Sequence, residues 1–373
     1  MLNGHGGNIY AVARQFGWKP AEIIDMSSNI NPLGPPSGLL DFLKENLMSL
    51  TELPEVDSEE AIRYFAEYMH SAPERVIAGN GTTQFIYALP SVLKTKSALI
   101  LGPTYSDYAD ACALHHIESS SILAEESEDF RPNMDSIKAN LMGKDTVFIC
   151  NPNNPTGSHI PFDKLHRLCG AHSKTNFIID ESYLPFVIGA EKESMANSGL
   201  ENVIVLASLS KIFRIPGLRI GFTISSPKTI EKLRKHLLPW SVNSLAQAAV
   251  RFLVMQKTRA EAFVQNSRMF FENQRQHFYQ RLRHIPNAKA YPSATPFVLV
   301  KLPSTMTSDE IWTRLSKEKI LIRNCSNFYG LSDRYIRISL KTPEANQMVA
   351  EKLSVLIPST TDDDRGIEEK QVA

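Results

Sequence analysis

The chain has 373 residues, with 40 Lys and Arg balanced by 40 Asp and Glu, so its formal net charge is zero. That balance provides no basic field for nucleic acid or an anionic membrane surface, and no apolar run approaches the roughly 20 residues of a membrane helix. The length allows a large core and two domains. The four cysteines, Cys112, Cys150, Cys169 and Cys325, form neither a C-x-x-C pair nor a metal-ligand spacing. No metal is therefore expected, and the pattern suits a reducing cytoplasm. The start, through His5, lacks the charged and apolar regions of a secretory leader.

Residues 1–44 read as an N-terminal arm belonging in part to a small domain, with the breaker run Pro32-Leu-Gly-Pro-Pro36 inside it. Residues 45–245 read as a large domain. In it Ser97–Leu101, Thr146–Cys150, Asn176–Asp180, Val203–Ala207 and Ile220–Ile224 are strand patterns. Helical patterns such as Asp163–His172 lie between some of them, which predicts an α/β fold with a mostly parallel sheet covered on both faces. From Ser244 to Arg283 the pattern is helical, and it bridges into a smaller α+β domain within 246–357. There Phe297–Leu302, Ile320–Arg323 and Tyr335–Leu340 read as strands, and Ser308–Leu315 and Thr342–Leu356 as helices. The polar tail, 358–373, is expected to be disordered.

Several short motifs fall at the ends of the large-domain strands. Gly79-Asn-Gly81-Thr82-Thr83-Gln84 precedes an apolar-periodic stretch and reads as a glycine loop entering a helix N-terminus, an anion site. It lacks the third glycine of a dinucleotide fingerprint. Next come Tyr105, in Gly102-Pro-Thr-Tyr105, and Asn154, in Asn154-Pro-Thr-Gly157. Asp180 ends an apolar strand pattern, and Tyr183 follows three residues later. Lys211 follows the Asn202–Ala207 run, with Ser208 and Ser210 before it and Arg219 eight residues after it.

Taken singly, each is ordinary: a loop lysine, a turn aspartate, an Asn-Pro turn. Their order is what pyridoxal phosphate requires. A lysine carries the cofactor as a Schiff base, and an acid pairs with the pyridine nitrogen to make the ring a strong electron sink. Asn154 and Tyr183 could meet the phenolic oxygen, and Tyr105 is placed to stack on the ring. The lysine needs desolvation or a neighbouring cation to be neutral near pH 7. Ser208-Leu-Ser-Lys211 also matches the S-x-x-K motif of penicillin-binding serine enzymes. Those enzymes need S-x-N and K-T-G as well; Ser241-Val-Asn243 fits the first loosely, and no K-T-G occurs.

On these residues the chain resembles the fold-type I pyridoxal-phosphate enzymes of the aspartate aminotransferase superfamily. Four further stretches are similar to the threonine-phosphate decarboxylases of cobalamin biosynthesis, with the histidinol-phosphate aminotransferases as near relatives. They are His5-Gly-Gly-Asn8, Ser28-Asn-Ile-Asn31-Pro-Leu-Gly34, Leu238–Asn243 and Ile322–Gly330. The resemblance implies Lys211 as the Schiff-base lysine, Asp180 at the pyridine nitrogen, Asn154 and Tyr183 at the phenolic oxygen, and Tyr105 stacked on the ring. Gly81, Thr82, Ser208, Ser210 and Arg219 would hold the cofactor phosphate, with Thr83 in the same loop, and Arg337 would grip the substrate carboxylate.

The resemblance also implies a homodimer whose sites span the subunit boundary. Relatives usually carry a Tyr-Pro-acid triplet where this chain has Leu53-Pro-Glu55, and Leu53 cannot donate to a phosphate. They tend to have Ala-Asn-Phe or Ala-Asn-Tyr where Thr295-Pro-Phe297 stands here. A decarboxylase must turn the substrate carboxylate out of the cofactor plane, whereas a transaminase turns the α-hydrogen out. Fixing both substrate ends sets that choice. His5, Asn31 and Arg323 are expected to grip a substrate phosphate, with the glycines at Gly6 and Gly7 exposing backbone N–H groups. The alternatives are an aminotransferase of the histidinol-phosphate type and a non-catalytic binding protein on the same fold.

Overall fold

The computed structural model describes residues 6–357, which divide into two compact units. Its strands are β1 (Ile24–Asp25), β2 (Val76–Gly79), β3 (Ser97–Gly102), β4 (Glu118–Leu123), β5 (Thr146–Cys150), β6 (Asn176–Asp180) and β7 (Val203–Ser208). They continue with β8 (Gly221–Ile224), β9 (Lys289–Ala290), β10 (Phe297–Lys301), β11 (Ile320–Leu321), β12 (Arg323–Asn324) and β13 (Tyr335–Ser339).

The first unit holds residues 30–271 and 292–296. Its seven-stranded sheet runs in the order β2-β8-β7-β6-β5-β3-β4. Strands β3 to β7 pair in parallel, while β8 is antiparallel to both β7 and β2. Strands β2, β5 and β8 are buried at every position, as expected of strands covered on both faces. The edge strand β4, Glu-Ser-Ser-Ser-Ile-Leu, is exposed along nearly its whole length. It has no apolar pattern, so it escapes a periodicity reading. β2 escapes because it is only four residues long and its last, Gly79, opens the glycine loop.

The second unit holds residues 6–29, 272–291 and 297–357. Its four-stranded antiparallel sheet has the order β12-β13-β10-β9, and β1 pairs with β11 in parallel beside it. The run Ile320–Arg323, which reads as one strand, is split: Leu321 pairs with Asp25, and Arg323 pairs with Arg337 across β12–β13. Ile322 lies between these pairings as the chain changes partner sheets.

The expected boundaries at 44/45 and 245/246 follow breaks in the sequence pattern; the compact units divide at 29/30 and 271/272. The second of these lies inside the single helix Lys257–Leu282, where no breaker marks it. The stretch from Ser244 is two helices, Ser244–Met255 and Lys257–Leu282, separated at Gln256. Among the described residues no helix is long and apolar enough to cross a membrane. All four cysteines are free and buried. His5 and the tail 358–373 lie outside the described residues.

Candidate active site

Parallel strands deliver their carboxyl ends to one edge of the sheet, where α/β folds bind ligands. In the first unit, β6 brings Asp180 to that edge and β7 leads into Lys211. β5 ends beside them, with Cys150 opposite Asp180. Asp180 and Tyr183 are buried, 5% and 4% exposed. The Lys211 amine lies 4.1 Å from the centre of the Tyr183 ring.

Burial opposes the charge on Lys211, but the Tyr183 phenol and the Asp180 carboxylate beside it favour the charge. The net result is a pKa above the ordinary lysine value. Of the two routes to a neutral amine, desolvation is outweighed here, which leaves a neighbouring cation. Tyr183 and then Asp180 favour the proton on Lys211, so a cation pairing with Asp180 would loosen that hold.

Asp180 is held at both oxygens. Ser182 N–H donates to Oδ1 at 2.9 Å, and the Tyr108 hydroxyl donates to Oδ2 at 2.9 Å. Tyr108 is a residue that the sequence reading missed. It lies three residues after Tyr105, in the first turn of the Asp107–Leu114 helix, and the two rings meet edge to face at 5.8 Å. That i, i+3 spacing is the only sequence signal it carried. Burial, with Asp107 adding to it, pushes the Tyr105 phenol well up, so it stays neutral. Asn154 is buried in the loop that follows β5.

Below this group the Gly81–Val92 helix begins. Its N-cap, Asn80, makes no side-chain cap, so the first-turn N–H groups of Gly81, Thr82 and Thr83 have neither a helical nor a cap partner. Gly81 sits at φ +75°, and a Cβ there would come within 2.5 Å of the Arg219 guanidinium. Gly221 of β8 is packed as tightly, since its Cβ would meet the Gly81 carbonyl carbon at 2.6 Å. These two glycine-lined approaches therefore bring an uncapped helix end, an arginine and the end of β7 together. Ser208, paired with Gly221, is buried at that strand end. Ser210 is buried too, but its hydroxyl donates to the Ile220 carbonyl at 3.2 Å.

Asn31 does not present a free donor. Its side-chain amide donates to Ile212 O at 2.9 Å and to Ser267 Oγ at 2.8 Å, and its carbonyl oxygen accepts Leu33 N–H at 3.1 Å. It is fully buried. Both N–H groups of the amide are spent within the fold, so the expected phosphate role would require them to leave these partners.

The second unit carries a separate cationic group. Arg323 and Arg337 stand directly opposite one another on neighbouring antiparallel strands, so their side chains share one face. Burial, and then the Arg337 charge, lower the Arg323 pKa to about 10. Arg323 donates to Asn327 Oδ1 at 2.6 Å, a neutral partner. Arg337 is buried over the Phe297 ring and donates to Ser27 O at 2.7 Å. The Ser27–Ser28 turn is held by the Asp25 carboxylate, which accepts both main-chain N–H groups and both hydroxyls. Gly6 lies against this turn, where a Cβ would stand 2.7 Å from Ser27 O. Gly6, Ser27, Trp312 and Arg323 help line a cavity of about 250 Å³.

The profile of the aminotransferase class I and II family matches residues 21–353. Among curated proteins, the threonine-phosphate decarboxylase of Salmonella typhimurium is 30% identical over 349 residues, covering 92% of this chain and 94% of that one. The adenosylcobalamin biosynthesis bifunctional protein CobDQ of Leptospira interrogans is 31% identical over 96% of this chain, which spans 42% of that longer protein. Among solved structures, L-threonine-O-3-phosphate decarboxylase from Porphyromonas gingivalis aligns with a TM-score of 0.82 at 27% identity, over 90% of this chain and 99% of that one. Histidinol-phosphate aminotransferase from Clostridium acetobutylicum aligns with the same TM-score at 25% identity, with the same two coverages. The chain belongs to the aminotransferase class I and II family.

Proposed function

We propose that this protein is a pyridoxal-phosphate-dependent decarboxylase of threonine O-3-phosphate, releasing CO₂ and 1-amino-2-propanol phosphate for the cobalamin nucleotide loop. The observation that carries the phosphorylated substrate is the cross-strand pair Arg323 and Arg337. Two cations on one sheet face suit a ligand that bears two anionic groups. Full-length similarity to a threonine-phosphate decarboxylase favours decarboxylation.

The residues of the first unit fit the cofactor. Lys211 supplies the amine, Asp180 a carboxylate for the pyridine nitrogen, and Asn154 and Tyr183 partners for the phenolic oxygen. Tyr105 offers a neutral ring for stacking. Gly81, Thr82 and Thr83 N–H groups, Ser208 and Arg219 would hold the phosphate, and the cradle that a Gly81 Cβ would fill supports that placement. Ser210 joins them only if its hydroxyl leaves Ile220. When bound, pyridoxal phosphate supplies the electron sink for the pair left as the Cα–carboxylate bond breaks.

The chain's own groups do the rest. Asp180 would pair with the ring nitrogen of a bound cofactor and thereby loosen its hold on the Lys211 proton. Arg337 receives the substrate carboxylate through a guanidinium fork. Arg323, with the Gly6 backbone, receives the substrate phosphate. With both ends fixed, the carboxylate bond stands where it can break. Lys211, having taken up the proton that the substrate ammonium gives up on binding, would deliver it to Cα.

Serine O-phosphate differs by one methyl, worth about 1–3 kcal/mol in a pocket, and is the competing substrate. The second reading, an aminotransferase of the histidinol-phosphate type, is favoured by a structural match of equal TM-score. A homodimer is part of the proposal, supported by the exposed Met48, Leu53, Leu238 and Trp240 on the first unit.

The deciding experiment incubates cofactor-loaded protein with threonine phosphate or serine phosphate, without a keto acid. CO₂ and the phosphorylated amine should appear, faster from threonine phosphate. No CO₂, with turnover only once histidinol phosphate and 2-oxoglutarate are present, would establish the aminotransferase instead.

A further inference from the structure

We propose that Tyr108 is a positioning residue that donates to the Asp180 carboxylate and orients it, so that the proton between that carboxylate and the cofactor's ring nitrogen stays on the ring. The inference rests on the proposed cofactor and goes beyond the residues assigned to it above.

The geometry is specific. Asp180 closes β6 at the centre of the sheet, and each of its oxygens already accepts one hydrogen bond. The Ser182 amide holds Oδ1 and the Tyr108 hydroxyl holds Oδ2. An ionised carboxylate oxygen has two acceptor positions, so one remains on each oxygen for a ring N–H. The two bonds fix the plane of the carboxylate before any ligand arrives. The Tyr108 hydroxyl is itself fixed. Its ring is only 1% exposed, lies against the Phe148 ring at 5.4 Å with 21° between planes, and meets Tyr105 edge-on.

The electrostatic consequence has a definite sign. An O–H donated to a carboxylate stabilises its anion and lowers its proton affinity. In a carboxylate–pyridinium pair, that moves the shared proton toward nitrogen. The sink is then at its strongest when the Cα bond breaks. Burial, reinforced by the Asp180 charge, pushes the Tyr108 phenol far above its ordinary value. It therefore donates throughout the working pH range and never competes as a second anion. A tyrosine that only filled space would do none of this, and phenylalanine would replace it without effect.

Tyr108→Phe keeps the packed ring and removes the donor. Wild type and variant would be loaded with pyridoxal phosphate carrying ¹⁵N in the ring, and the ring-nitrogen chemical shift read by NMR beside the pH titration of the visible absorbance. Wild type should show the shift of a protonated ring. Tyr108→Phe should move it toward the neutral value and displace the absorbance midpoint. It should also lower kcat roughly tenfold, with KM for threonine phosphate changed less than about twofold, as for loss of one hydrogen bond to a charged group. Identical ring shifts and unchanged kcat would overturn the proposal.

Circular dichroism and Tm separate this from misfolding. If Tyr108→Phe does not fold, site-specific 3-fluorotyrosine keeps the ring and strengthens the donor. The absorbance midpoint should then move opposite to the direction expected for the Phe variant, and no movement overturns the proposal. Failure of the wild type to take up the cofactor would instead refute the proposed function.

Discussion

The main-chain N–H of Asn31 donates to the Lys211 carbonyl at 3.1 Å, and its side-chain amide donates to the carbonyl of the next residue, Ile212. One buried asparagine thus holds two consecutive peptides of the turn that carries the amine. The same amide reaches Ser267, whose hydroxyl donates to Phe263 O, so the turn is tied to the Lys257–Leu282 helix.

Asn31→Ala should therefore behave as a defect of the lysine turn. Alanine keeps the main-chain bond to Lys211 but leaves the Ile212 carbonyl unpaired, which costs about 1–3 kcal/mol, so Tm should fall and pyridoxal phosphate should bind more weakly. The loss of turnover should be the same for phosphorylated and unphosphorylated amino acids. A rise in KM confined to phosphorylated substrates, with Tm unchanged, would restore Asn31 to the substrate phosphate.

Asn31 also shows where sequence reading stops. Its neighbourhood, Asn29-Ile-Asn31-Pro-Leu-Gly34, signals polar function. Nothing local reveals that its partners lie 181 and 236 residues away. Strands β5, β6 and β7 were legible because burial on both faces demands unbroken apolar runs, and those runs end at Asp180 and just before Lys211. The placement of those two groups at one sheet edge then follows from parallel topology. Tyr108 was not legible, since a tyrosine in a helix is ordinary until Asp180 is known to face it. Nor was the Arg323–Arg337 pair, because cross-strand register between segments 14 residues apart is set by the turn and sheet joining them.

Gly81 tests the anion cradle. Its φ of +75° and the 2.5 Å approach of a Cβ to Arg219 make two separate demands on a substitution. Gly17 has φ +72° with nothing within 4 Å of its Cβ, so it carries the backbone demand alone. Gly17→Ala should cost about 1–2 kcal/mol in stability through strain and leave cofactor affinity intact. Gly81→Ala should cost at least as much and also weaken pyridoxal phosphate binding, measured by absorbance titration. Equal cofactor affinity in both variants would remove Gly81 from the cradle.

Glu181, next to Asp180, gives a pH prediction. Burial pushes its carboxyl from an ordinary 4.5 up to about 8, opposed by the Ser194 hydroxyl and the Met195 N–H bonded to it. A carboxyl whose folded pKa exceeds its unfolded value takes up a proton on folding at pH values between the two. Stability from this group is then full below about 4.5 and is lost as pH rises toward about 8. Glu181→Gln keeps the shape and cannot ionise. Urea midpoints of wild type should fall relative to Glu181→Gln across that window and run parallel above it. Parallel midpoints throughout would show that Glu181 is ionised in the folded protein at neutral pH.

The arginine pair separates stability from binding. Arg323 stands opposite Arg337 with a neutral asparagine as its bonded partner, and burial lowers its pKa to about 10. A half-buried and a buried like charge on one sheet face cost free energy that an anion would recover. Arg323→Gln should therefore leave Tm unchanged or raise it, since the repulsion is relieved. The same variant should raise KM for threonine phosphate by about 10–100-fold, the range expected for losing a charge-assisted hydrogen bond worth about 1.5–3 kcal/mol. Inorganic phosphate should stabilise the wild type in thermal melts and have little effect on the variant. A variant that loses Tm while keeping its KM would show Arg323 to be a structural strut, and the phosphate end of the substrate would then need another partner.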